Sequence, residues 1–306
     1  MVPTLLKRIW LFLKFCVCWW FVGNLPFVPT IFIAKDISNQ IVLITGGGGG
    51  VGRHLAVKLS ERGCIIVIWD VSEDGMTLTE VSVTRAGGKC HKYVCDITDN
   101  EAVYQTAEAV RRDVGNVDIL INNAGIVNGK RLLQLSDEQI CNVMNVNICS
   151  HFWTIKAFLP HMTSKNSGHI VSVASMAGIS GTCNNVDYSA SKFAAFGLMD
   201  ALGYELHVDK LTGINVTTVC PWYIDTGMFE GVDPGAFPFL KAEYVASQIV
   251  DAILRNQKLL LLPRIMNWYL PVKALAPVRA NYIWMDMMGC DRQMTTFAGV
   301  KVEARQ

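Results

Sequence analysis

Residues 45–52 read TGGGGGVG, and they directly follow the apolar run IVLI at 41–44. Glycine weakens the interior of a strand or helix by about 0.5–1 kcal/mol relative to alanine. Five consecutive glycines therefore indicate a turn at which the backbone must approach another group closely. A strand before such a turn and a helix after it form the context in which glycine-rich turns bind phosphate groups.

A carboxylate follows this turn at an informative distance. The second strand-like run ends at Asp70, close to 20 residues beyond the glycines. A carboxylate in that position can accept hydrogen bonds from both ribose hydroxyls of NAD, and it would repel the 2′-phosphate of NADP. The glycine turn and Asp70 together predict a dinucleotide site that prefers NAD to NADP.

Strand-like and helix-like segments alternate from about residue 38 onward. The strand-like runs lie at 41–45, 64–70, 91–96, 117–122, 169–174, 213–220 and 258–263. Continuous apolar runs are typical of strands buried on both faces, and strands that alternate with helices indicate a parallel sheet. We therefore predict one α/β domain over 38–263. Its fold is expected to be a Rossmann doubly wound, seven-stranded, mostly parallel sheet with helices on both faces.

An apolar segment precedes this domain. Residues 9–34 read IWLFLKFCVCWWFVGNLPFVPTIFIA, a length that could cross a bilayer. Pro26 and Pro29 would break a straight helix. We predict a hydrophobic membrane-anchoring segment over 1–37, as a tilted span or as a kinked segment in one leaflet. A helix packed on the protein's own surface is the alternative.

The composition also points towards lipid. Charged residues make up 17% of the chain against a typical value of about 25%, and hydrophobic residues reach 51%. The net charge of +1 gives no electrostatic basis for binding nucleic acid. Residues 264–306 begin with a stretch rich in Trp, Tyr, Met and Leu with interspersed Arg and Lys. This C-terminal region is expected to be a lid over an apolar pocket or a membrane-facing region, with a plain packing helix as the alternative.

These motifs and others resemble the short-chain dehydrogenase/reductase family. TGGGGGVG matches the family pattern TGxxxGxG, and further matches follow in the family's order and spacing: Asp96, NNAG at 122–125, Asn147, Ser175, YSASK at 188–192 and CPWYIDTGMF from Cys220. The stretch SHFWTIKAFLP at 150–160 resembles one branch more closely, that of the epidermal retinol dehydrogenases and lipid-droplet 17-beta-hydroxysteroid dehydrogenases. Trp222 departs from the pattern, because many members have glycine there.

Four residues form the predicted catalytic set. Tyr188 and Lys192 are four residues apart, so they share one face of a helix. A free tyrosine has a pKa near 10, and a nearby ammonium favours the phenolate, which would make Tyr188 a general acid/base. The resemblance implies that Ser175 hydrogen-bonds the reacting oxygen and that Lys192 also holds the nicotinamide ribose. It further implies that Asn147 holds a water linking the lysine to solvent.

The resemblance also implies the cofactor-binding residues. Gly46, Gly50 and Gly52 take the motif positions, whereas Gly47, Gly48 and Gly49 are interpreted as variable places, so that Gly47→Ala or Gly49→Ser should be mild. The absence of a basic residue at Gly49 is a second indication for NAD. The full predicted set is Gly46, Gly50, Val51, Gly52, Asp70, Asp96, Ile97, Asn123, Ala124, Gly125, Tyr188, Lys192, Pro221, Ile224 and Thr226. The histidines show no metal-ligand spacing, and no metal site is predicted.

These features together predict a membrane-associated oxidoreductase. It would transfer a hydride between NAD(H) and a lipophilic alcohol, ketone or aldehyde, such as a retinoid or a steroid. The resemblance implies the endoplasmic reticulum membrane or the lipid-droplet surface as its location, with a cytosol-facing catalytic domain, and a homodimer as its assembly. Two alternatives stay open at this point: a surface scaffold that keeps the enzyme fold, and a cytosolic reductase with a hydrophobic oligomer interface.

Overall fold

The computed structural model describes residues 10, 13–14 and 34–298. Contacts within the chain separate the residues up to Asp36 from those that begin at Ile37. All the motifs from the glycine turn onward lie in the second unit. The anchoring segment predicted over 1–37 lies almost entirely outside the described residues. Within the described part of the chain, no helix combines the length and the apolar character needed to cross a bilayer.

The second unit alternates strands and helices. Its strands are β1 (Ile41–Thr45), β2 (Ile65–Asp70), β3 (Lys89–Val94), β4 (Ile119–Asn122), β5 (Gly168–Val173), β6 (Ile214–Pro221), β7 (Ile224–Asp225), β8 (Leu240–Lys241) and β9 (Leu259–Leu262). Its α-helices are α1 (Gly50–Ser60), α2 (Glu73–Arg85), α3 (Asn100–Asp113), α4 (Asp137–Met144), α5 (Ser150–Lys165), α6 (Val186–Val208), α7 (Ala242–Leu254), α8 (Met266–Leu275) and α9 (Val278–Met287).

Seven of the strands form one sheet in the order β3-β2-β1-β4-β5-β6-β9, and every neighbouring pair is parallel. Successive side chains of a strand point to opposite faces. Ile44 and Ile68 therefore pack with α1, α2 and α7 on one face, while Leu43 and Val67 pack with α3, α5 and α6 on the other. The prediction of a doubly wound, seven-stranded parallel sheet is confirmed.

One strand differs from its predicted position. The apolar pattern placed it at 91–96, whereas β3 runs from Lys89 to Val94. β3 lies at the edge of the sheet, where it pairs with β2 alone. Its residues are only half-buried or exposed, so hydrophobicity does not mark its ends. The five interior strands and the other edge strand, β9, agree with their predicted runs to within one residue at each end, except that β4 begins two residues later than predicted.

The strand order locates the ligand crevice. From β1 the chain builds outward through β2 to β3, and then returns to place β4 on the other side of β1. In open parallel sheets, ligands bind outside the carboxyl ends of the strands at such a reversal. Here the two segments that leave this point are the glycine turn after β1 and the NNAG stretch at the end of β4.

A π-helical turn separates α4 from α5. It spans Asn145–Cys149, and the residues on either side of it, Met144 and Ser150, have right-handed helical backbone angles. The chain is therefore helical without a break from Asp137 to Lys165. Such a turn inserts an extra residue into an α-helix, and it is frequent at functional sites. In this protein its central residue is Asn147.

Candidate active site

The glycine turn brings the backbone close to its surroundings at three points. Gly46 has a φ of +65°, and a Cβ atom there would lie 2.9 Å from the Cα atom of Ala124. A Cβ atom on Gly52 would lie 2.2 Å from the carbonyl oxygen of Gly46. Gly50 also has a positive φ, +52°, and begins α1. These contacts explain on steric grounds why the three motif positions carry glycine.

The three middle glycines differ from one another. A Cβ atom on Gly47 would lie 2.6 Å from the Cβ and Cγ2 atoms of Ile68, whereas a Cβ atom on Gly49 would meet nothing within 4 Å. The interpretation of Gly47 as a variable position is therefore wrong. The neighbouring strand β2 leaves no room for a side chain at Gly47. A pattern of glycine spacing cannot reveal this constraint. A Cβ atom on Gly48 would lie 2.9 Å from Asp70 Oδ2, so this place is not freely variable either. The interpretation of Gly49 agrees with the open space around it.

Polar side chains hold the carbonyl oxygens of the turn. Arg53 Nη2 donates to the Gly48 oxygen at 2.8 Å, and Thr79 Oγ1 donates to the Gly47 oxygen at 2.8 Å. Asn123 Nδ2 lies within hydrogen-bond distance of the Thr45 oxygen at 3.0 Å and of the Gly46 oxygen at 3.2 Å. Asn123 thus clamps the NNAG stretch to the glycine turn. Arg53 and Thr79 belong to no family motif used above, and only the folded chain shows their role.

The turn fits a dinucleotide phosphate. The N-terminus of α1 has no side-chain cap at Gly49, so the first N–H groups of the helix keep their hydrogen-bonding capacity. These groups form the positive end of the helix dipole. Absent Cβ atoms leave room for a pyrophosphate beside these groups. Asp70 lies next to the turn, where its Oδ2 atom accepts from Gly48 N and its Oδ1 atom from Ser72 N, each at 2.9 Å. Each carboxylate oxygen retains a lone pair for a ribose hydroxyl.

Ser175 and Tyr188 meet at the end of β5. Ser175 caps a short 3₁₀ turn over Met176–Gly178 by accepting from Ala177 N at 3.1 Å. Tyr188 comes from the first turn of α6, and the Ser175 hydroxyl lies close enough to it to lower its pKa. Tyr188 is 6% exposed, and its ring packs edge-on against Phe229 with the ring centres 6.1 Å apart. The serine and tyrosine of the predicted catalytic set therefore lie next to each other in the site.

Lys192 lies one helical turn beyond Tyr188 and is 3% exposed. Its Nζ atom donates to the Val173 oxygen at 2.8 Å and lies 5.6 Å from the centre of the Tyr188 ring. A Cβ atom on Gly125 would come within 3.3 Å of the same Nζ atom. The lysine therefore reaches the cavity between β5 and the NNAG stretch.

Burial controls the charges of this pair. It raises the pKa of Tyr188 to about 12, and the hydrogen bond with Ser175 lowers that pKa by a smaller effect. Burial also lowers the pKa of Lys192 to about 8. The YxxxK motif predicted that the ammonium would favour the phenolate. In the protein alone desolvation has the larger effect and keeps Tyr188 protonated at neutral pH.

Asn147 lies behind the cavity wall and is fully buried. Its Oδ1 atom accepts from Ile126 N at 2.9 Å, and its Nδ2 atom donates to the Ile126 oxygen and to Ser191 Oγ, both at 3.0 Å. The side chain thus ties the segment after NNAG to the helix that carries Tyr188 and Lys192. The water-holding role implied by the resemblance stays a prediction.

One cavity of about 440 Å³ joins these groups. Of the predicted site residues, all but Gly52 and Asn147 line it. The members in its wall are Gly46, Gly50, Val51, Asp70, Asp96, Ile97, Asn123, Ala124, Gly125, Ser175, Tyr188, Lys192, Pro221, Ile224 and Thr226. The cavity therefore runs from the acidic end of β2 past the glycine turn to the serine and tyrosine.

Beyond Tyr188 the wall becomes apolar and aromatic. The residues of this part come from the segment after β6 and from the C-terminal helices: Trp222, Tyr223, Met228, Phe229, Met266, Tyr269, Trp284, Met285, Met288 and Cys290. None of them was among the predicted site residues. The signal for the C-terminal members was the aromatic and Met-rich composition after residue 264, which indicated an apolar lid without identifying which side chains face inward.

Known proteins resemble this chain over most of its length. The family model described as short chain dehydrogenase matches residues 40–236. Epidermal retinol dehydrogenase 2 of Homo sapiens is 41% identical over 271 residues, covering 87% of this chain and 88% of that protein. Short-chain dehydrogenase/reductase family 16C member 6 of Bos taurus is 42% identical over 267 residues, covering 86% of this chain and 84% of that protein.

The fold agrees with a solved structure of a related protein. A short chain dehydrogenase/reductase from Burkholderia phymatum, crystallised in complex with NAD, superimposes with a TM-score of 0.71 at 25% sequence identity. The match covers 82% of this chain and 96% of that one. The glycine turn, the buried tyrosine and lysine, and these relationships lead to one conclusion: the chain belongs to the short-chain dehydrogenase family and is an NAD-dependent oxidoreductase.

Proposed function

We propose that this oxidoreductase interconverts a lipophilic alcohol and its ketone or aldehyde, with a retinoid or a steroid as the candidate substrate. The observation that carries the proposal is the position of Tyr188. It lies where the cavity passes from the glycine turn to the apolar wall. A hydroxyl bound beside Tyr188 would therefore have its carbon skeleton among Met, Trp and Phe side chains. The names of the similar retinol dehydrogenases from human and zebrafish support this substrate class.

The proposed roles divide between cofactor and protein. Bound NAD accepts or gives the hydride. Tyr188 exchanges the proton with the substrate oxygen, and Ser175 holds that oxygen through its hydroxyl. The raised pKa of Tyr188 leaves it protonated at neutral pH, which is the form that donates to a carbonyl in the reductive direction. In the oxidative direction Tyr188 must first lose its proton, and the positive charge of Lys192 favours that loss.

The proposal has a direct test. Membranes from cells expressing the wild type or Tyr188→Phe are offered NAD and a panel of retinoids, steroids and fatty alcohols, and the products are identified by mass spectrometry. We expect the wild type to oxidise at least one class, and Tyr188→Phe to be slower by about 10²–10⁴-fold. NADH binding by the variant, measured by fluorescence, should remain. Equal turnover by the two proteins would contradict the role of Tyr188.

We further propose that the protein works at a lipid surface, the endoplasmic reticulum membrane or a lipid droplet, with the catalytic domain facing the cytosol. The N-terminal apolar segment is one proposed attachment. A second support comes from the described residues, because α8 and α9 present apolar side chains outward. Trp268 is 77% exposed and Leu275 is 87% exposed. The other exposed apolar residues of these helices are Val272, Val278, Tyr282, Ile283, Trp284 and Met287, of which Trp284 also lines the cavity.

The same two helices line the cavity on their inner side, through Met266, Tyr269, Trp284 and Met285. An exposed apolar surface of this extent is typical of a protein or membrane contact. We propose that residues 264–306 act both as the wall of the substrate site and as a membrane-facing region. A lipophilic substrate dissolved in the lipid would then reach the cavity with little exposure to water. The homodimer implied by the family stays a prediction.

A further inference from the structure

Two hydroxyl groups meet on the apolar wall of the cavity. Ser180 Oγ and Tyr269 OH are 3.0 Å apart, and both residues line the cavity. Ser180 lies in the loop after the 3₁₀ turn that Ser175 caps, and Tyr269 lies on α8. The pair therefore connects the segment that holds the reacting oxygen with the C-terminal wall.

The pair is a polar feature in hydrophobic surroundings. Tyr269 is 7% exposed, and its ring stacks on Trp284 with the ring centres 6.0 Å apart and the planes inclined by 19°. Met266 and Met288 also line this part of the cavity. The stacked rings fix the position of the tyrosine hydroxyl, so its direction is set before a ligand binds.

The hydrogen bonds of the pair leave capacity for a ligand. Each hydroxyl has one proton and two acceptor lone pairs. One proton is used between the two oxygens. Among residues 34–298, the Met285 sulfur is the one acceptor within reach of the other proton, at 3.5 Å from Ser180 Oγ and 3.9 Å from Tyr269 OH. A thioether is a weak acceptor, so an oxygen atom would compete successfully for that proton. The unused lone pairs can in turn accept from a hydroxyl.

We infer that Ser180 and Tyr269 form a second polar subsite, which binds an oxygen of the substrate remote from the carbon that reacts. The ligand class is a lipophilic alcohol with a second hydroxyl or carbonyl group, such as a diol or a hydroxy-ketone. A substrate whose far end is a hydrocarbon leaves the second hydroxyl proton pointing to the Met285 sulfur. Such a substrate makes no hydrogen bond with the pair. This inference rests on the proposed oxidation of lipophilic alcohols, and it narrows the substrate class.

A purely structural role is the alternative explanation. Lys273 Nζ, also on α8, donates to the Ile179 oxygen, so the same loop and helix have a second connection beside the hydroxyl pair. If the pair served only to attach α8, its loss would affect every substrate equally and would lower the melting temperature. A recognition role instead predicts an effect that depends on the second oxygen of the substrate.

The experiment compares matched substrates with matched variants in the full-length protein. The substrate pairs are 1-dodecanol with 1,12-dodecanediol, and steroid 17β-alcohols that have or lack a hydroxyl at carbon 3. Tyr269→Phe removes the hydroxyl but keeps the ring that stacks on Trp284. Ser180→Ala removes the other partner, and Tyr204→Phe on the exposed side of α6 is the control. The readouts are kcat/KM for each substrate and the melting temperature.

We expect the wild type to favour the doubly oxygenated member of at least one pair. Tyr269→Phe and Ser180→Ala should each reduce kcat/KM for that member by about 3- to 10-fold, with little change for the mono-alcohol. Equal losses for both members, or none, would overturn the subsite and leave the proposed function intact. Failure of the wild type to oxidise these alcohols and every retinoid of the panel described above would overturn both proposals.

Discussion

The Nζ atom of Lys192 donates to the backbone oxygen of Val173 across 2.8 Å and holds a buried ammonium at the end of β5. Burial lowers the pKa of this lysine from 10.5 to about 8, so the charged form destabilises the folded protein below pH 8. Lys192→Met should therefore raise the free energy of unfolding at pH 7, by up to about 3 kcal/mol.

This gain should shrink as pH rises from 8 to 10.5. Over that range the folded protein holds the lysine neutral, and the proton that must be released on folding becomes easier to lose. The same variant should lose activity by at least 10²-fold. Urea unfolding at pH 7 and pH 10 checks the first expectation, with exposed Lys156→Met as the control. A less stable Lys192→Met at pH 7 would show that the bond to Val173 outweighs the cost of burial.

The glycine turn gives a graded prediction. Gly50→Val places a β-branched residue at a φ of +52° with its Cβ atom 3.5 Å from Thr226, so we expect NADH affinity to fall more than 10-fold. Gly47→Ala meets Ile68 at 2.6 Å and should cost about 1–3 kcal/mol of stability. Gly49→Ser is the matched control. It should change NADH affinity by less than 2-fold, and the equilibrium constant of unfolding by less than 2-fold as well. NADH fluorescence titration and thermal unfolding distinguish the three, and a stable Gly47→Ala would contradict the steric argument.

Asp70 is predicted to set the cofactor preference. Asp70→Asn removes the charge that would repel the 2′-phosphate of NADP, so the NADP/NAD ratio of kcat/KM should rise at least 10-fold. The substitution also turns one acceptor of a backbone N–H into a donor, which should cost about 1–3 kcal/mol of stability. Asp74→Asn, in the exposed first turn of α2, is the control. An unchanged ratio in Asp70→Asn would exclude Asp70 as the selecting residue.

The outer faces of α8 and α9 are predicted to contact lipid. Replacing Trp268 and Leu275 with serine should raise KM by about 5- to 10-fold for a substrate delivered in phospholipid vesicles. For a short water-soluble alcohol the same variant should behave as the wild type. Leu133→Ser is the control, because Leu133 is 98% exposed and lies outside α8 and α9. An equal loss with both substrates would indicate damage to the cavity wall rather than a lost lipid contact.

The sequence was sufficient for most of the fold because the interior strands are buried on both faces and appear as unbroken apolar runs. The predicted bounds of β3 lie two residues too far along the chain, because exposure at the edge of the sheet removes that signal. In the site, the order of short motifs located the residues that line the cavity. It could not show that Ile68, twenty-one positions along the chain, closes the space beside Gly47.

The remaining differences also arise from contacts between distant segments. Arg53 and Thr79 hold the glycine turn through single hydrogen bonds that leave no spacing pattern. The apolar wall depends on which sides of α8 and α9 face inward, and both sides of these helices carry hydrophobic residues. The pKa of Tyr188 depends on its depth of burial, a property of the whole domain rather than of the YxxxK motif.

The π turn at Asn145–Cys149 separates what the fold requires from what the site requires. An inserted residue bulges out of a helix while the flanking turns keep their alignment, so α4 and α5 could pack as well in a chain one residue shorter. The side chain at the centre of the bulge is that of Asn147, which bonds Ile126 and Ser191. The extra residue of this helix therefore lies where the segment after NNAG is joined to the helix that carries Tyr188 and Lys192.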